Sequence, residues 1–283
     1  MSESPKIHVL AAVTPATLSR YRQTLAPDPQ IKLSLVTDER DICAFLAQPH
    51  TRADLLVLDS TLCDSYALIN DLRQTYPRLL ILLVDDGADF STPGRADDVS
   101  IQPFEEGDLL RRIKRLAQER QLETLRADSL PPVRTVAQQL RRAGPGHGKQ
   151  QAAVNAIAEL GYDYVAYYAL ASPAPPELTL GAQAGPPQLT DTAPHTLPVD
   201  GTVFGWVAES GQSRVIGSGE SAGHRFVERG WLTAGVCVPV GTSLRFGVLF
   251  AGRANAPAIT EQHVKLLELI GAQLAHALAK QQT

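Results

Sequence analysis

The sequence predicts two domains of different fold class, an α/β domain with a parallel sheet and then an α+β domain with an antiparallel sheet. Over residues 6–126, short apolar runs alternate with helical segments, the order that βαβ crossovers and a parallel sheet require. Over residues 133–283, helices enclose strand segments joined by hairpin-type connections. The length of 283 residues also fits two domains.

The first domain, residues 1–104, is predicted to alternate strands with helices. The run from Leu55 to Leu58 shows no alternation of apolar and polar residues, which is typical of a strand buried on both faces. Thr14 and Pro15 are suited to open a helix as N-cap and first-turn proline, and Asp38 to cap the next. The strands are predicted at residues 7–13, 31–36, 55–58, 79–84 and 99–101, and the helices at 14–25, after 38, at 66–76 and at 106–126.

The last of these helices defines a predicted helical linker over residues 105–132. It carries an apolar stripe and is longer than a compact domain requires, and we expect Pro131 and Pro132 to end it. Two interpretations stay open, a core-packing helix with a solvated end and a signalling linker that pairs with a second copy. The heptads are too few and broken to predict a coiled coil.

The second domain is predicted to span residues 133–283. Gly161 and Gly211 are placed to end helices, and Thr260 to cap the last one. Prolines crowd residues 173–198, which predicts a loop with one weak strand. The helices are predicted at 133–142, 150–160, 203–209 and 260–280, and the strands at 162–170, 178–180, 214–216, 234–240 and 246–251.

The glycine-rich stretch before Lys149 superficially resembles a phosphate-binding loop. Ala143 occupies the first glycine position, Gln150 replaces the Ser or Thr, and no buried strand precedes it. The stretch is therefore predicted to be an ordinary flexible loop over residues 144–148.

Composition excludes several classes of function. A net charge of −4 and a pI near 6.0 argue against nucleic acid as a partner. The three cysteines lack C-x-x-C spacing, so neither a disulfide framework nor a zinc site is expected, and the thiols suit a reducing cytoplasm. No apolar stretch approaches the length of a membrane span. We find no Ser/His/Asp or Cys/His arrangement, so we expect no enzyme activity. We also expect no metal and no cofactor.

The order of elements, the strand D-L-L-V-L-D at 54–59 and the segment A-D-D-V-S-I-Q-P-F at 96–104 resemble a response-regulator receiver domain. The resemblance implies a flavodoxin-like fold with Asp59 as the phosphoryl acceptor. It also implies an acidic pair that holds Mg²⁺, a hydroxyl at the end of the fourth strand and a lysine before Pro-Phe. Here those positions are taken by Ala11 and Ala12, by Val84 or Asp85, and by Gln102. The segment before the fifth strand is short, which implies a truncated or absent fourth helix.

Each substitution weakens the chemistry that the resemblance implies. Mg²⁺ loses its anionic ligands, and Gln102 brings no positive charge to a phosphoryl group. Asp85 and Asp86, expected near Asp59, gather carboxylates without a counter-charge, which disfavours a phosphate dianion. We therefore predict a degenerate receiver that is not phosphorylated. The alternatives are phosphorylation of Asp59 in an altered geometry and an unrelated flavodoxin-like module, and Asp59 itself would otherwise cap backbone amides.

The second domain resembles a GAF domain. The resemblance rests on P-V-D-G-T-V-F-G-W-V-A-E-S-G-Q-S-R-V-I at 198–216, on the strands A-G-V-C-V-P-V and F-G-V-L-F-A-G, and on the closing helix from 259. It implies an antiparallel sheet flanked by helices, with a ligand cavity beside residues 198–216. Cys237 lies in a strand, the cyclic-nucleotide motif is absent, and His195, His224 and His263 are isolated, so bilin, cyclic nucleotide and haem are not expected.

Aromatic and basic side chains in this domain are candidates for a ligand pocket, with the arginines meeting an anion. Alternation along the first strand places Tyr164 and Tyr168 on one face and Tyr167 on the other. Core packing is the competing interpretation of the same rings. The candidate pocket residues are Tyr164, Tyr168, Phe204, Trp206, Arg214, Arg225 and Trp231.

Together these patterns predict a non-catalytic signalling protein of the cytoplasm, a pseudo-receiver coupled to a GAF domain. It would act through contacts with a histidine kinase or another signalling protein, through a homodimer formed by its helices, and through small-ligand binding. The first alternative is a genuine response regulator phosphorylated on Asp59. The second is a GAF small-molecule sensor in which the receiver is a structural module.

Overall fold

The computed structural model describes residues 6–48, 51–85, 96–127, 131–171, 176–217, 225–241, 244–255 and 259–281. The chain forms two compact units, one of Met1–Gln74 with Leu79–Glu123 and one of Thr75–Arg78 with Thr124–Thr283. Within the described ranges, no helix combines the length and the apolar character needed to cross a membrane.

The first unit contains a five-stranded parallel sheet, as the sequence predicts. The strand order is β2-β1-β3-β4-β5, and every pairing is parallel. The strands are β1 (Ile7–Ala12), β2 (Ile31–Val36), β3 (Leu55–Asp59), β4 (Leu80–Val84) and β5 (Asp98–Ser100). The helices are α1 (Leu18–Leu25), α2 (Glu39–Ala47), α3 (Ser65–Thr75) and α4 (Asp108–Ala127).

The core of this unit forms around β3, in which every residue is buried. Leu109, Ile113 and Leu116 of α4 are buried in the same cluster as Val9 and Val57 of the sheet. The first half of α4 is therefore a core helix, which agrees with one of the two interpretations of the linker segment.

Ion pairs and one hydroxyl attach the short strand β5 to α4. Arg112 contacts Asp98 at 2.9 Å and Asp108 at 2.6 Å, and the buried Ser100 hydroxyl donates to Asp108 at 2.8 Å. Burial raises the pKa of Asp108, but hydrogen bonds from Arg112, Ser100 and Arg111 outweigh it and hold that pKa below its usual range. Asp108 is therefore held as a carboxylate at the start of α4, where the helix dipole also favours it.

Two local predictions for this unit need comment. The helix predicted from residue 14 begins instead at Leu18, because Thr14 to Thr17 form a turn in which the Thr17 N–H donates to the Thr14 carbonyl at 3.1 Å. The prediction of a truncated fourth helix falls largely on residues 86–95, which lie outside the described residues.

The second unit contains a six-stranded antiparallel sheet, which confirms the predicted sheet type. The order is β8-β7-β6-β11-β10-β9. Its strands are β6 (Tyr164–Ala171), β7 (Glu177–Ala184), β8 (Thr196–Pro198), β9 (Arg214–Gly217), β10 (Ala234–Val240) and β11 (Gly247–Arg253). Its helices are α5 (Pro131–Arg142), α6 (His147–Ala158), α7 (Pro187–Thr190), α8 (Val203–Ser210), α9 (Arg225–Glu228) and α10 (Glu261–Ala279).

Helices α5, α6 and α10 form a layer against one face of this sheet. Ile157 of α6 and Leu267 of α10 belong to the same buried cluster as Tyr167, Val238 and Leu249 of the strands. This cluster contains the apolar stripe that the sequence predicts for α10.

Three boundaries differ from the prediction for physical reasons. Helix α4 ends at Ala127, before the prolines, and Pro131 and Pro132 themselves open α5, because a proline in the first turn gives up an N–H that has no helical partner. Gly146, with a φ of 58°, is the N-cap of α6, so this helix begins at His147 and shortens the predicted loop. The weak strand predicted at 178–180 is the eight-residue β7, because the prolines flank this segment and none interrupts it.

Candidate functional site

The first candidate site surrounds Asp59 in the first unit. Asp59 is the last residue of β3, pairs in register with Val84 of β4, and is 6% exposed. It therefore lies at the carboxyl edge of a parallel sheet, where open α/β folds bind their ligands.

The Asp59 carboxylate accepts hydrogen bonds at both oxygens. Oδ1 accepts from the Thr61 N–H at 3.1 Å and from the Thr61 hydroxyl at 2.6 Å. Oδ2 accepts from the Thr17 hydroxyl at 3.3 Å. The backbone bond is the Asx-turn pattern that an aspartate makes with the residue two positions on.

The other residues predicted at the receiver site lie on β1 or directly after β4 and β5, and none of them is a cation. Ala11 and Ala12 are fully buried in β1, in register with Val57 and Leu58 of β3. Asp85 directly follows β4, and its N–H donates to the Ser100 carbonyl at 3.0 Å. Gln102 follows β5 and is exposed, while Asp86 lies outside the described residues.

No cluster of three or more His, Cys, Asp or Glu side chains with the geometry of a metal site occurs in the part of the chain that the structure describes.

Thr17 and Thr61 are hydrogen-bond partners of the Asp59 carboxylate that sequence reasoning missed. The D-S-T sequence after β3 could have indicated Thr61, whereas Thr17 is 42 positions away and carries no local signal.

The second candidate site is an aromatic cluster on the sheet face opposite the helical layer. Tyr168 packs edge-on against Phe204 at a centroid distance of 5.6 Å, and Phe204 lies 5.3 Å from Phe250. Tyr164 packs against Phe226 at 4.9 Å and against Phe250 at 6.2 Å. All five side chains are fully buried, so these rings fill the space between β6, β11, α8 and α9.

The two phenol groups of this cluster are held as neutral donors. The Tyr164 hydroxyl donates to Gln183 Oε1 at 3.0 Å, and the Tyr168 hydroxyl donates to the Pro194 carbonyl at 3.2 Å. Burial raises the pKa of both phenols well above the usual range. Tyr167 points the other way, and its hydroxyl donates to the Phe246 carbonyl at 2.8 Å.

The remaining predicted pocket residues occupy other positions. Trp231 stacks on Phe226 at 5.6 Å and is 41% exposed. Trp206 is buried and lies beneath the Arg214 guanidinium, whose Cζ is 5.8 Å from the indole centroid. The side chain of Arg225 lies outside the described residues, although its backbone begins α9.

The cysteine and histidines considered as cofactor ligands or attachment sites lie in different environments. Cys237 is fully buried in β10, and burial raises the pKa of its thiol well above the usual range, which suppresses the reactive thiolate. His263 accepts a hydrogen bond from the Thr260 N–H at 3.0 Å at the start of α10, and His195 is exposed. His224 lies outside the described residues.

The second unit places an antiparallel sheet between a helical layer and the short helix α8. The family model described as "GAF domain" matches residues 150–279. This part of the chain is a GAF domain.

One similar solved structure is the GAF domain from Acinetobacter phosphoenolpyruvate-protein phosphotransferase. It is 20% identical, its TM-score is 0.45, and the match covers 57% of this chain and 94% of that one. Free methionine-R-sulfoxide reductase from Neisseria meningitidis matches with 18% identity, a TM-score of 0.45, and coverage of 52% and 87%. A methyl-accepting chemotaxis protein matches with 17% identity, a TM-score of 0.42, and coverage of 51% and 95%. These similarities are too distant to assign an activity. No curated protein matches the chain.

Proposed function

We propose that this protein is a non-catalytic signalling protein in which a pseudo-receiver is coupled to the GAF domain. The strand order 2-1-3-4-5 of the parallel sheet supports the receiver assignment, because it is the order of flavodoxin-like folds. The position of Asp59 at the end of the central strand supports it as well.

The observation that carries the proposal is the surroundings of the Asp59 carboxylate. Phosphoryl transfer needs a metal ion and cations to neutralise charge on the transferring group. The described partners of Asp59 are instead two neutral threonines, and buried alanines occupy the positions of the acidic pair. A carboxylate in such surroundings is suited to fixing the loops after β1 and β3.

Absence of catalysis in the second unit is part of the same proposal. Its buried cysteine is a poor nucleophile because burial keeps the thiol protonated. Signal transfer would then depend on contact with a histidine kinase or another signalling protein, and on a homodimer formed through the helices. A monomeric mass by light scattering at micromolar concentration would contradict the dimer.

Ligand binding by the GAF domain is the remaining component of the proposal. Trp231 supports it, because an exposed indole stacked on the buried cluster and 5.5 Å from the Arg229 guanidinium offers an aromatic surface beside a cation. Native mass spectrometry of freshly purified protein would detect a retained ligand.

Phosphorylation separates the proposal from its runner-up, a response regulator phosphorylated on Asp59. Incubation with acetyl phosphate and Mg²⁺ is expected to leave the intact mass unchanged, because the described partners of the Asp59 carboxylate are threonines and not metal ligands or cations. The matched control is Asp59→Asn, which keeps the size of the side chain and removes the acceptor. A phosphoryl adduct on the wild type that is absent from Asp59→Asn would establish the runner-up.

A further inference from the structure

A cleft of about 520 Å³ lies in the helical layer of the second unit, on the side of the sheet opposite the aromatic cluster. It is bounded by the C-terminal ends of α5 and α10 and by the start of α6. Its volume falls within the range of small-molecule sites. The residues that line it include Arg141, Lys149, His276 and Lys280, the amides Gln273 and Gln281, and the small or apolar residues Ala137, Leu140 and Ala277.

The charge of this cleft has one sign. Arg141, Lys149 and Lys280 carry cationic side chains, and no acidic residue is among the described residues of its lining. A concave surface that carries positive charges only concentrates anions, because its low-dielectric walls focus the electrostatic field.

Hydrogen bonds between the helix ends hold the walls of the cleft. The Lys149 ammonium donates to the Leu140 carbonyl at 3.1 Å, which joins the start of α6 to the end of α5. The N–H of Gly146, the N-cap of α6, donates to Gln281 Oε1 at 2.8 Å, and this bond joins the start of α6 to the segment after α10. An ammonium has three donors, so this carbonyl bond leaves Lys149 further donors for a ligand.

All three cations lie at helix ends or contact one. Arg141 and Lys280 lie at helix C-terminal ends, where a cation is favourable. Lys149 lies in the first turn of α6, and its ammonium complements the C-terminal end of α5 by its bond to the Leu140 carbonyl. The fold therefore gathers three positive charges at one end of the helical layer, around the cleft.

We propose that this cleft binds a small polyanion that carries phosphate groups. Arg141, Lys149 and Lys280 would contact phosphate oxygens, and Ala137, Leu140 and Ala277 would pack against the remainder of the molecule. The glycine-rich stretch before Lys149 thus contributes to an anion site without being a phosphate-binding loop of the kind that follows a strand, since helix α5 precedes it.

Calorimetric titration of the full chain with inorganic pyrophosphate in the presence of EDTA tests the proposal. Saturable binding is expected for the wild type. The double substitution Arg141→Glu with Lys280→Glu is expected to weaken that binding by about tenfold or more, because two attractive charges become repulsive. Both side chains are exposed, so the variant should keep the wild-type circular dichroism spectrum.

Arg134→Glu is the matched control, because Arg134 is an exposed arginine of the same helix that does not line the cleft. It should retain wild-type affinity, and Asp59→Asn should as well, which keeps this test independent of the proposed function. Absence of pyrophosphate binding at millimolar concentration would overturn the proposal. Equal weakening by Arg134→Glu and by the double substitution would overturn it too, since it would indicate unspecific attraction.

Discussion

Replacing Tyr168 by alanine is expected to lower the free energy of unfolding of the second unit by about 3–5 kcal/mol, the usual loss for a fully buried aromatic ring. The Tyr168 ring is fully buried and packs edge-on against Phe204, so its removal leaves a cavity that the neighbouring rings cannot fill. Both tryptophans of the chain, Trp206 and Trp231, lie in this unit. Urea unfolding followed by tryptophan fluorescence therefore reports on the second unit.

Tyr168→Phe is the control for this prediction. It keeps the ring and removes only the hydroxyl that donates to Pro194, so a loss of about 1 kcal/mol is expected. The comparison also separates a packed core from a ligand pocket. If Tyr168 lined an open pocket, its truncation to alanine would leave stability nearly unchanged, and that result would contradict the packing described above.

Gly205→Ala is expected to destabilise the second unit by about 3 kcal/mol, at the upper end of what overpacking usually costs. A Cβ at this position would lie 1.7 Å from the Val199 carbonyl oxygen and 2.4 Å from its carbon. Both atoms belong to the backbone, so helix α8 would have to move away from the segment before it. The Thr202 hydroxyl, which accepts from the Gly205 N–H at 3.0 Å, would then lose its cap geometry.

Gly217→Ala is the matched control for this substitution. Gly217 lies at the end of β9, and a Cβ there would meet no atom of the described residues within 4 Å. Its midpoint of unfolding in urea should stay close to the wild-type value, while that of Gly205→Ala falls. Equal midpoints for the two variants would show that α8 does not press against the Val199 backbone.

The sequence predicts those parts of the fold that depend on neighbouring residues. Helix α8 is an example, because Thr202 accepts the Gly205 N–H at its start and Gly211 adopts a left-handed conformation, with a φ of 70°, at its end. Strand β3 is another, because its continuous apolar run has only one plausible environment. Pro131 shows the limit of such reasoning, since a proline pair is compatible with both the end and the start of a helix.

The candidate sites were predictable in part. The position of Asp59 follows from the strand pattern, and alternation along β6 places Tyr164 and Tyr168 on one face. The partners of these residues were not predictable, because Thr17 reaches Asp59 and Phe250 reaches Tyr164 only through tertiary folding. The basic cleft was not predictable for the same reason, since the end of α10 reaches the adjoining ends of α5 and α6 only through tertiary folding.

Titration of the full chain with Mg²⁺ in the presence of beryllofluoride, a mimic of the phosphoryl group, tests the central claim most directly. The claim is that Asp59 lacks the metal site on which phosphoryl transfer depends. The expected result is that wild type and Asp59→Asn give the same heats, with no saturable binding to either. Saturable binding of Mg²⁺ and beryllofluoride to the wild type alone would show that Asp59 is a working phosphoryl acceptor and would contradict the pseudo-receiver assignment.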